Sequence, residues 1–314
     1  MSAVPPRLSS RLSVVIAHLN QPAMLDRCLA SLAAGTRRPD EVIVVDNGSR
    51  EPPAAVCAAH GARLLHEATP GPGPARTTGA RAAGGDVIAF IDADCLADAG
   101  WLAAAEAAMA DPAAMILGGD VQIAYADPDP GRMTMIEAYE SVYGYRVADY
   151  IARDDFTVTC NLVTRPAVMA DVGAFGGLAM AEDIDWGRRA VARGYRILYR
   201  PEMVVRHPAR PDMRALRIKW DRHMAHFFHE VRGPRARAAW ALRTLAMAVS
   251  PLAELPRLAA APRLPGLRAR ALAFLCLARI RLYRARMMAW LLFGGDPAVL
   301  AGRWNRSPAA TAPR

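Results

Sequence analysis

Apolar residues in the first third of the chain fall in short unbroken runs separated by stretches with helical spacing. LSVVIA at 12 to 17 is followed by a helix-like segment from about Ala23 to Ala34 and then by EVIVVD at 41 to 46. Runs rich in Val and Ile predict buried strands, and the segment between them predicts the covering helix of a β-α-β unit. The alternation continues with a weaker helix near 53 to 60, a short strand at 62 to 66, a helix at 75 to 83 and the strand DVIAFID at 86 to 92. Unbroken apolar strands between helices predict a parallel sheet covered on both faces.

Beyond Asp98 the order changes, with a helix at 100 to 110, a strand near 115 to 124, a helix at 132 to 150 and the strand-like FTVTCNLVT at 156 to 164. The sheet is therefore expected to become mixed. A helix follows Arg165-Pro166, and another opens at Glu182-Asp183-Ile184-Asp185 and ends near Gly194. RILYR and MVVRH read as two short strands and 212 to 232 as one long helix. The last 80 residues are rich in Ala, Leu and Arg, with prolines at 251, 256, 262 and 265 dividing at least two helical segments. Their apolar runs fall short of the roughly 20 residues that span a bilayer.

In open sheets, ligands bind beyond the carboxyl ends of the strands. Those ends read His18 and Asn20, then Asp46-Asn47-Gly48-Ser49, then Asp92-Ala93-Asp94. No G-x-G-x-x-G follows the first strand, which disfavours a dinucleotide-binding domain. PGPGP at 70 to 74 is only a weak phosphate-cradle signal.

Composition sharpens this in two respects. Residues 1 to 205 carry 18 Lys+Arg against 25 Asp+Glu, a net of −7, whereas 206 to 314 carry 21 against 5, a net of +16. The basic last third points to an anionic contact, with a solvated basic surface as the plain alternative. Aromatic residues are 7% of the chain and do not interleave with the basic runs, which argues against nucleic acid. The five cysteines are scattered and never spaced C-x-x-C, so reduced structural thiols are expected. Residues 1 to 10 hold one arginine, Arg7, but no apolar run, which predicts no cleaved secretory signal and a catalytic part in the cytoplasm.

Asp92 and Asp94 flank one residue at a strand end, so in extended geometry both side chains point the same way and can share a cation. Oxygen ligands select hard ions such as Mg²⁺ or Mn²⁺. An isolated D-x-D is more often loop solvation, and its place at the ligand edge is what raises its standing.

The stretch from 12 to 208 resembles the family 2 glycosyltransferases of the GT-A fold through ordered matches. These are LSVVIAHLN, EVIVVDNGS, GPARTTGARAAGGDVIAFIDADC and AEDIDWGRRAVARGYRILYRPEMVVRH. The resemblance implies an α/β GT-A domain over 1 to 210, with a nucleotide-binding half to about 98 and an acceptor half from 99, followed by a basic helical extension over 211 to 314. It implies donor contacts from Asn20, Asp46, Arg76 and Asp92, with Asp94 as the direct metal ligand. Thr77, where relatives often carry Asn, and His18-Leu19, where Thr-Tyr is usual, depart from the pattern.

Carboxylates at a helix start cap free N–H groups without any catalysis. The resemblance nevertheless implies that Asp183 is the general base, with Glu182 and Asp185 beside the acceptor and Trp186 packing either a sugar face or the core. It also makes His207 a candidate metal ligand. Lys219, Arg222, His223 and His226 recur at i, i+3, i+4 and i+7, one basic face that could clamp a diphosphate.

The implied activity is inverting transfer of a sugar from a nucleotide-diphosphate donor, UDP-linked for preference, to a glycan or lipid-linked hydroxyl acceptor in polysaccharide or glycolipid synthesis. Two rivals are a sugar nucleotidyltransferase, which should carry a glycine-rich loop after the first strand, and a nonenzymatic module on anionic membranes. A peripheral place on the inner face of the plasma membrane fits the basic tail. Read as a helix, though, 268 to 286 puts Arg268, Arg279 and Arg286 opposite Arg270, Arg281 and Arg284, which is not the single polar face of an interfacial helix.

Overall fold

The computed structural model describes residues 10 to 301 except 128, 179 and 230. Residues 1 to 9, expected to carry no leader, lie outside the described residues. The chain forms two compact units, one comprising residues 1 to 124 and 145 to 208, the other 125 to 144 and 209 to 314. The second unit thus takes in a segment that the sequence assigned to the acceptor half.

The first unit is built on β1 (Leu12–His18), α1 (Pro22–Ala33), β2 (Glu41–Asp46), α2 (Ala54–Ala59), β3 (Arg63–His66), α3 (Pro72–Ala82), β4 (Val87–Asp92), β5 (Leu96–Ala97), α4 (Trp101–Met109) and β6 (Ile116–Ala124). After α5 (Met135–Tyr143), which belongs to the second unit, it resumes with α6 (Val147–Asp154), β7 (Leu162–Thr164), α7 (Pro166–Val172), α8 (Glu182–Ala192) and β8 (Ile197–Pro208). The strands form one mixed sheet in the order β3-β2-β1-β4-β7-β6-β8-β5. β1 lies between β2 and β4 in parallel, with His18 opposite Asp46 and Ala17 opposite Asp92.

Period-2 side chains explain the unbroken apolar runs. Leu12, Val14 and Ile16 of β1 pack with Leu25, Cys28 and Leu32 of α1 on one face. On the other face Val15, Ile88 and Phe90 meet Ala80, Val168 and Trp186. The approach of α3 requires Gly79, because a Cβ there would lie 2.4 Å from Val15 Cγ1. All five cysteines are free and buried.

Three elements differ from the sequence expectation. RILYR and MVVRH are one strand, β8, which runs through Pro201 because its pairing with β6 slips at Gly119/Asp120. A bulge accommodates a residue with no N–H to donate. Only Leu162–Thr164 of FTVTCNLVT is strand, because buried Asn161 spends its side chain on that bulge. Its Nδ2 donates to the Asp120 and Met203 carbonyls, both at 2.8 Å, and its Oδ1 accepts from Trp101 Nε1 at 2.8 Å. The helix expected at 132 to 150 is two, α5 and α6, separated where the chain passes between units at Gly144/Tyr145.

The second unit continues with α9 (Met213–His229), α10 (Gly233–Ala253), α11 (Leu255–Ala260), α12 (Gly266–Leu292) and α13 (Pro297–Ala301). α5 starts on a capping box of Thr134 and Glu137. Its Ile136 and Tyr139 pack with Leu216 of α9 and with Ala273, Leu277 and Ile280 of α12. No helix among the described residues is long and apolar enough to cross a membrane.

Candidate active site

The ends of β1 and β2 form a closed hydrogen-bonded set. The Gln21 N–H donates to His18 Nε2 at 3.1 Å, so the other ring nitrogen, Nδ1, carries the proton and donates to Asp46 Oδ1 at 3.0 Å. Asp46 Oδ2 accepts from the Ser49 N–H at 3.1 Å, and Asp46 is 2% exposed. Burial pushes the Asp46 carboxyl up, but the bonds from Ser49 and His18 more than offset it, leaving it below its ordinary value. Asn20, at φ 55°, ties the two loops together, its N–H on Ser49 Oγ at 2.8 Å and its Oδ1 accepting from the Arg50 N–H at 2.9 Å. Asn47 holds the start of α3, which opens within the expected 70 to 74 loop, its Oδ1 accepting from the Gly71 N–H at 2.7 Å.

A second cluster forms past the end of β4. The chain turns with the Cys95 N–H on the Asp92 carbonyl at 3.0 Å, and then pairs Leu96 with Arg206 of β8. That register sets Asp94 Oδ2 3.8 Å from His207 Nε2. His207 Nδ1–H donates to the Pro208 carbonyl at 2.7 Å, which turns Nε2 toward the carboxylate. Burial lifts the Asp94 carboxyl above its ordinary value, against the pull of His207 and with a further push from Asp92. A carboxylate that burial leaves short of positive charge, beside an imidazole nitrogen, fits a divalent cation. Cys95 Sγ lies in the same cluster, but burial raises its thiol so far that it stays protonated, leaving an oxygen and nitrogen donor set suited to Mg²⁺ or Mn²⁺.

Arg76 of α3 connects this strand end to the start of α8. The guanidinium is 4% exposed and donates to Asp92 Oδ1 at 2.5 Å and to Glu182 Oε1 at 2.9 Å. Its Nε finds no hydrogen-bond partner among the described residues. Beside it Asp183 sits in the first turn of α8, with the Ile184 N–H on its Oδ1 at 2.8 Å. Burial, then the adjoining Glu182 charge, push the Asp183 carboxyl up to about 6. A carboxylate so raised is still ionised at neutral pH and is a stronger base than an ordinary one.

A model of glycosyl transferase family 2 matches residues 13 to 169, half of the chain. The chain belongs to glycosyltransferase family 2. Glycosyltransferase AglE of Haloferax volcanii is 29% identical over 208 residues, 63% of this chain and 67% of that protein. The pre-mycofactocin glycosyltransferase of Mycobacterium tuberculosis is 29% identical over 214 residues, and the match spans only 43% of its length. Among solved structures, the mannosyltransferase PcManGT from Pyrobaculum calidifontis, in complex with GDP-Man and Mn²⁺, matches with a TM-score of 0.57 at 22% identity, over 97% of this chain and 90% of that one. That likeness establishes a shared fold of the GT-A type.

Not every residue singled out in the sequence of this family 2 protein has the place expected of it. Trp186 is a core residue, 1% exposed, with Nε1 on the Gly173 carbonyl at 3.1 Å and its ring 5.2 Å from Phe175, so it has no face for an acceptor sugar. Asp185 pairs with Arg189 one turn on, at 2.8 Å. Arg76, expected among the donor contacts, has its guanidinium on Asp92 and Glu182. Lys219 and His223 lie on α9 in the second unit, each against Trp220, at 5.8 and 5.5 Å from its ring centre. The side chains of Arg222 and His226 lie outside the described residues. Two contributors were missed. His18 fixes Asp46, as its place opposite that residue could have suggested, and Thr77 holds the 173 to 177 loop by accepting from the Phe175 N–H at 3.0 Å.

Proposed function

We propose that this glycosyltransferase is metal-dependent and inverting, and that it moves a sugar from a nucleotide-diphosphate donor, UDP-linked for preference, to the hydroxyl of a glycan or lipid-linked acceptor. The observation that carries this is the buried Arg76, which joins the half-buried D-x-D strand end to the half-buried acidic start of α8. Asp94 and His207 would hold the Mg²⁺ or Mn²⁺ ion. When bound, that ion supplies neutralisation of the diphosphate leaving group.

The chain's own residues do the rest. Asn20 and Asp46 shape the base and ribose end of the cleft, and Arg76 holds Asp92 oriented toward the donor. Asp183 takes the proton of the acceptor hydroxyl as that oxygen attacks the anomeric carbon from the face opposite the leaving group, which inverts the centre. Glu182 and Asp185 flank it, and Glu182 helps to raise its basicity. Polysaccharide or glycolipid synthesis is the setting that these acceptors imply.

Calorimetric titration of UDP and GDP into the protein, with Mn²⁺ or with EDTA, tests the donor side. Binding that requires the ion and is lost in Asp94→Asn supports the reading. Equal affinity with and without the ion, in both proteins, would remove it.

A further inference from the structure

The second unit exposes an apolar helix face that no transferase chemistry uses. On α10, Leu242, Leu245, Val249 and Leu252 recur at i, i+3, i+7 and i+10 and are 68, 67, 68 and 66% exposed. Ala246 between them, and Ala238 and Ala253 at either end of that face, are apolar and exposed as well. The opposite side is anchored by Trp240, 4% exposed, whose Nε1 donates to the Met288 carbonyl of α12 at 3.0 Å. A helix apolar on both sides belongs in a core or against hydrocarbon, yet this one has its outer side in water.

Charge identifies the occupant. Residues 233 to 292 hold 11 arginines and one acidic residue, Glu254, a net of +10. Arg235 and Arg243 of α10 and Arg257 of α11 are exposed near the stripe, Arg257 beside Glu254 at 3.3 Å, whereas Arg237 donates to the Leu292 carbonyl of α12. The arginines on opposite sides of α12, which counted against an interfacial helix, differ in burial. Arg284 lies 3.7 Å over the Trp220 ring, Arg281 pairs with Glu254 at 2.7 Å and Arg270 is half-buried, whereas Arg268, Arg279 and Arg286 are exposed, Arg268 donating to the Gly131 carbonyl at 2.8 Å and Arg279 lying 3.7 Å from Met135 Sδ. Leu267 and Leu282 stand on that same outer side, 82 and 55% exposed.

We infer that the outer face of α10 seats in the headgroup region of a bilayer rich in anionic lipid, its leucines in the acyl boundary and the bordering arginines on lipid phosphates. Among the described residues no helix is long and apolar enough to span, so α10 would lie along the surface. A second copy of the chain is the poorer occupant, because stacking two such faces brings like charges together, whereas anionic headgroups neutralise them. The inference does not rest on the transferase reading.

Co-sedimentation of the full chain with vesicles tests it, using phosphatidylcholine alone and phosphatidylcholine with about a third phosphatidylglycerol. Wild type should bind the anionic vesicles and not the neutral ones. The triple variant Leu242→Ser, Leu245→Ser, Val249→Ser should lose at least about tenfold in partitioning with its melting temperature kept, since these side chains are exposed. Arg235→Gln, Arg243→Gln should bind more weakly and with less salt dependence. Failure of wild type to bind anionic vesicles overturns the inference, as does equal binding by the leucine variant. A dimer in solution that the leucine variant turns into monomer, with no vesicle binding, assigns the face to a second copy and also overturns it.

Discussion

Asp46 and Asp183 are both acidic residues at the ligand edge of the same sheet, and they are handled in opposite ways. Asp46 has both carboxylate oxygens occupied by His18 and Ser49 and is held below its ordinary pKa. Asp183 accepts one backbone N–H, sits next to Glu182 and is pushed up to about 6. Asp94 resembles Asp183, lifted by burial and facing an imidazole nitrogen. A satisfied carboxylate holds a scaffold together, whereas one that the fold leaves short of positive charge or donors is ready for a cation or a proton.

The largest effect should come from neutralising the base. Asp183→Asn should lower kcat by about 10²- to 10⁴-fold with nucleotide affinity unchanged, because Asn keeps the shape and the capping capacity while removing the proton acceptor. Steady-state kinetics beside calorimetry checks this. Turnover above about a tenth of wild type would move the base to Glu182 or Asp185. Next in size, Asp94→Asn should bring UDP affinity in Mn²⁺ down to its level in EDTA, while leaving the His18–Asp46 set intact. Gly79→Ala should then destabilise by about 1–3 kcal/mol, since the new Cβ would overlap Val15 and force α3, with Arg76, off the sheet. Thermal melts would show it. Smallest is a pH effect, in which kcat rises through pH about 6 as Asp183 ionises and levels off above it. A flat profile from pH 5 to pH 8, a span bracketing that value, argues against the assignment.

Much of this was legible from residues alone. The buried strands, their order up to β4 and the polar groups at their ends follow from apolar runs that any covered parallel sheet must have. The D-x-D and E-D-x-D segments were visible too, but their environments were not. That Arg76 serves Asp92 and Glu182 depends on contacts 16 and 106 residues away in sequence. Trp186 was ambiguous because an indole suits a sugar or a core equally, and only the positions of Phe175 and Gly173 decide it. β8 read as two strands because Pro201 looks like a break until Asn161 is seen satisfying the carbonyls that its bulge releases.

The contrast between Asp46 and Asp183 can be measured without knowing the acceptor, by following thermal or denaturant stability against pH for Asp46→Asn and Asp183→Asn. The folded-state pKa of Asp46 is lowered, so its charge stabilises the fold above the unfolded value near 3.8, and that contribution is lost as pH falls. The folded-state pKa of Asp183 is raised, so the native state takes up a proton between about 6 and 3.8, and its charge is a burden at neutral pH. At pH 7, Asp46→Asn should therefore be less stable than wild type and Asp183→Asn more stable, by about 1–3 kcal/mol, with the latter gain gone below pH about 4. Destabilisation by both substitutions at pH 7 would contradict the account and leave Asp183 as an ordinary helix cap.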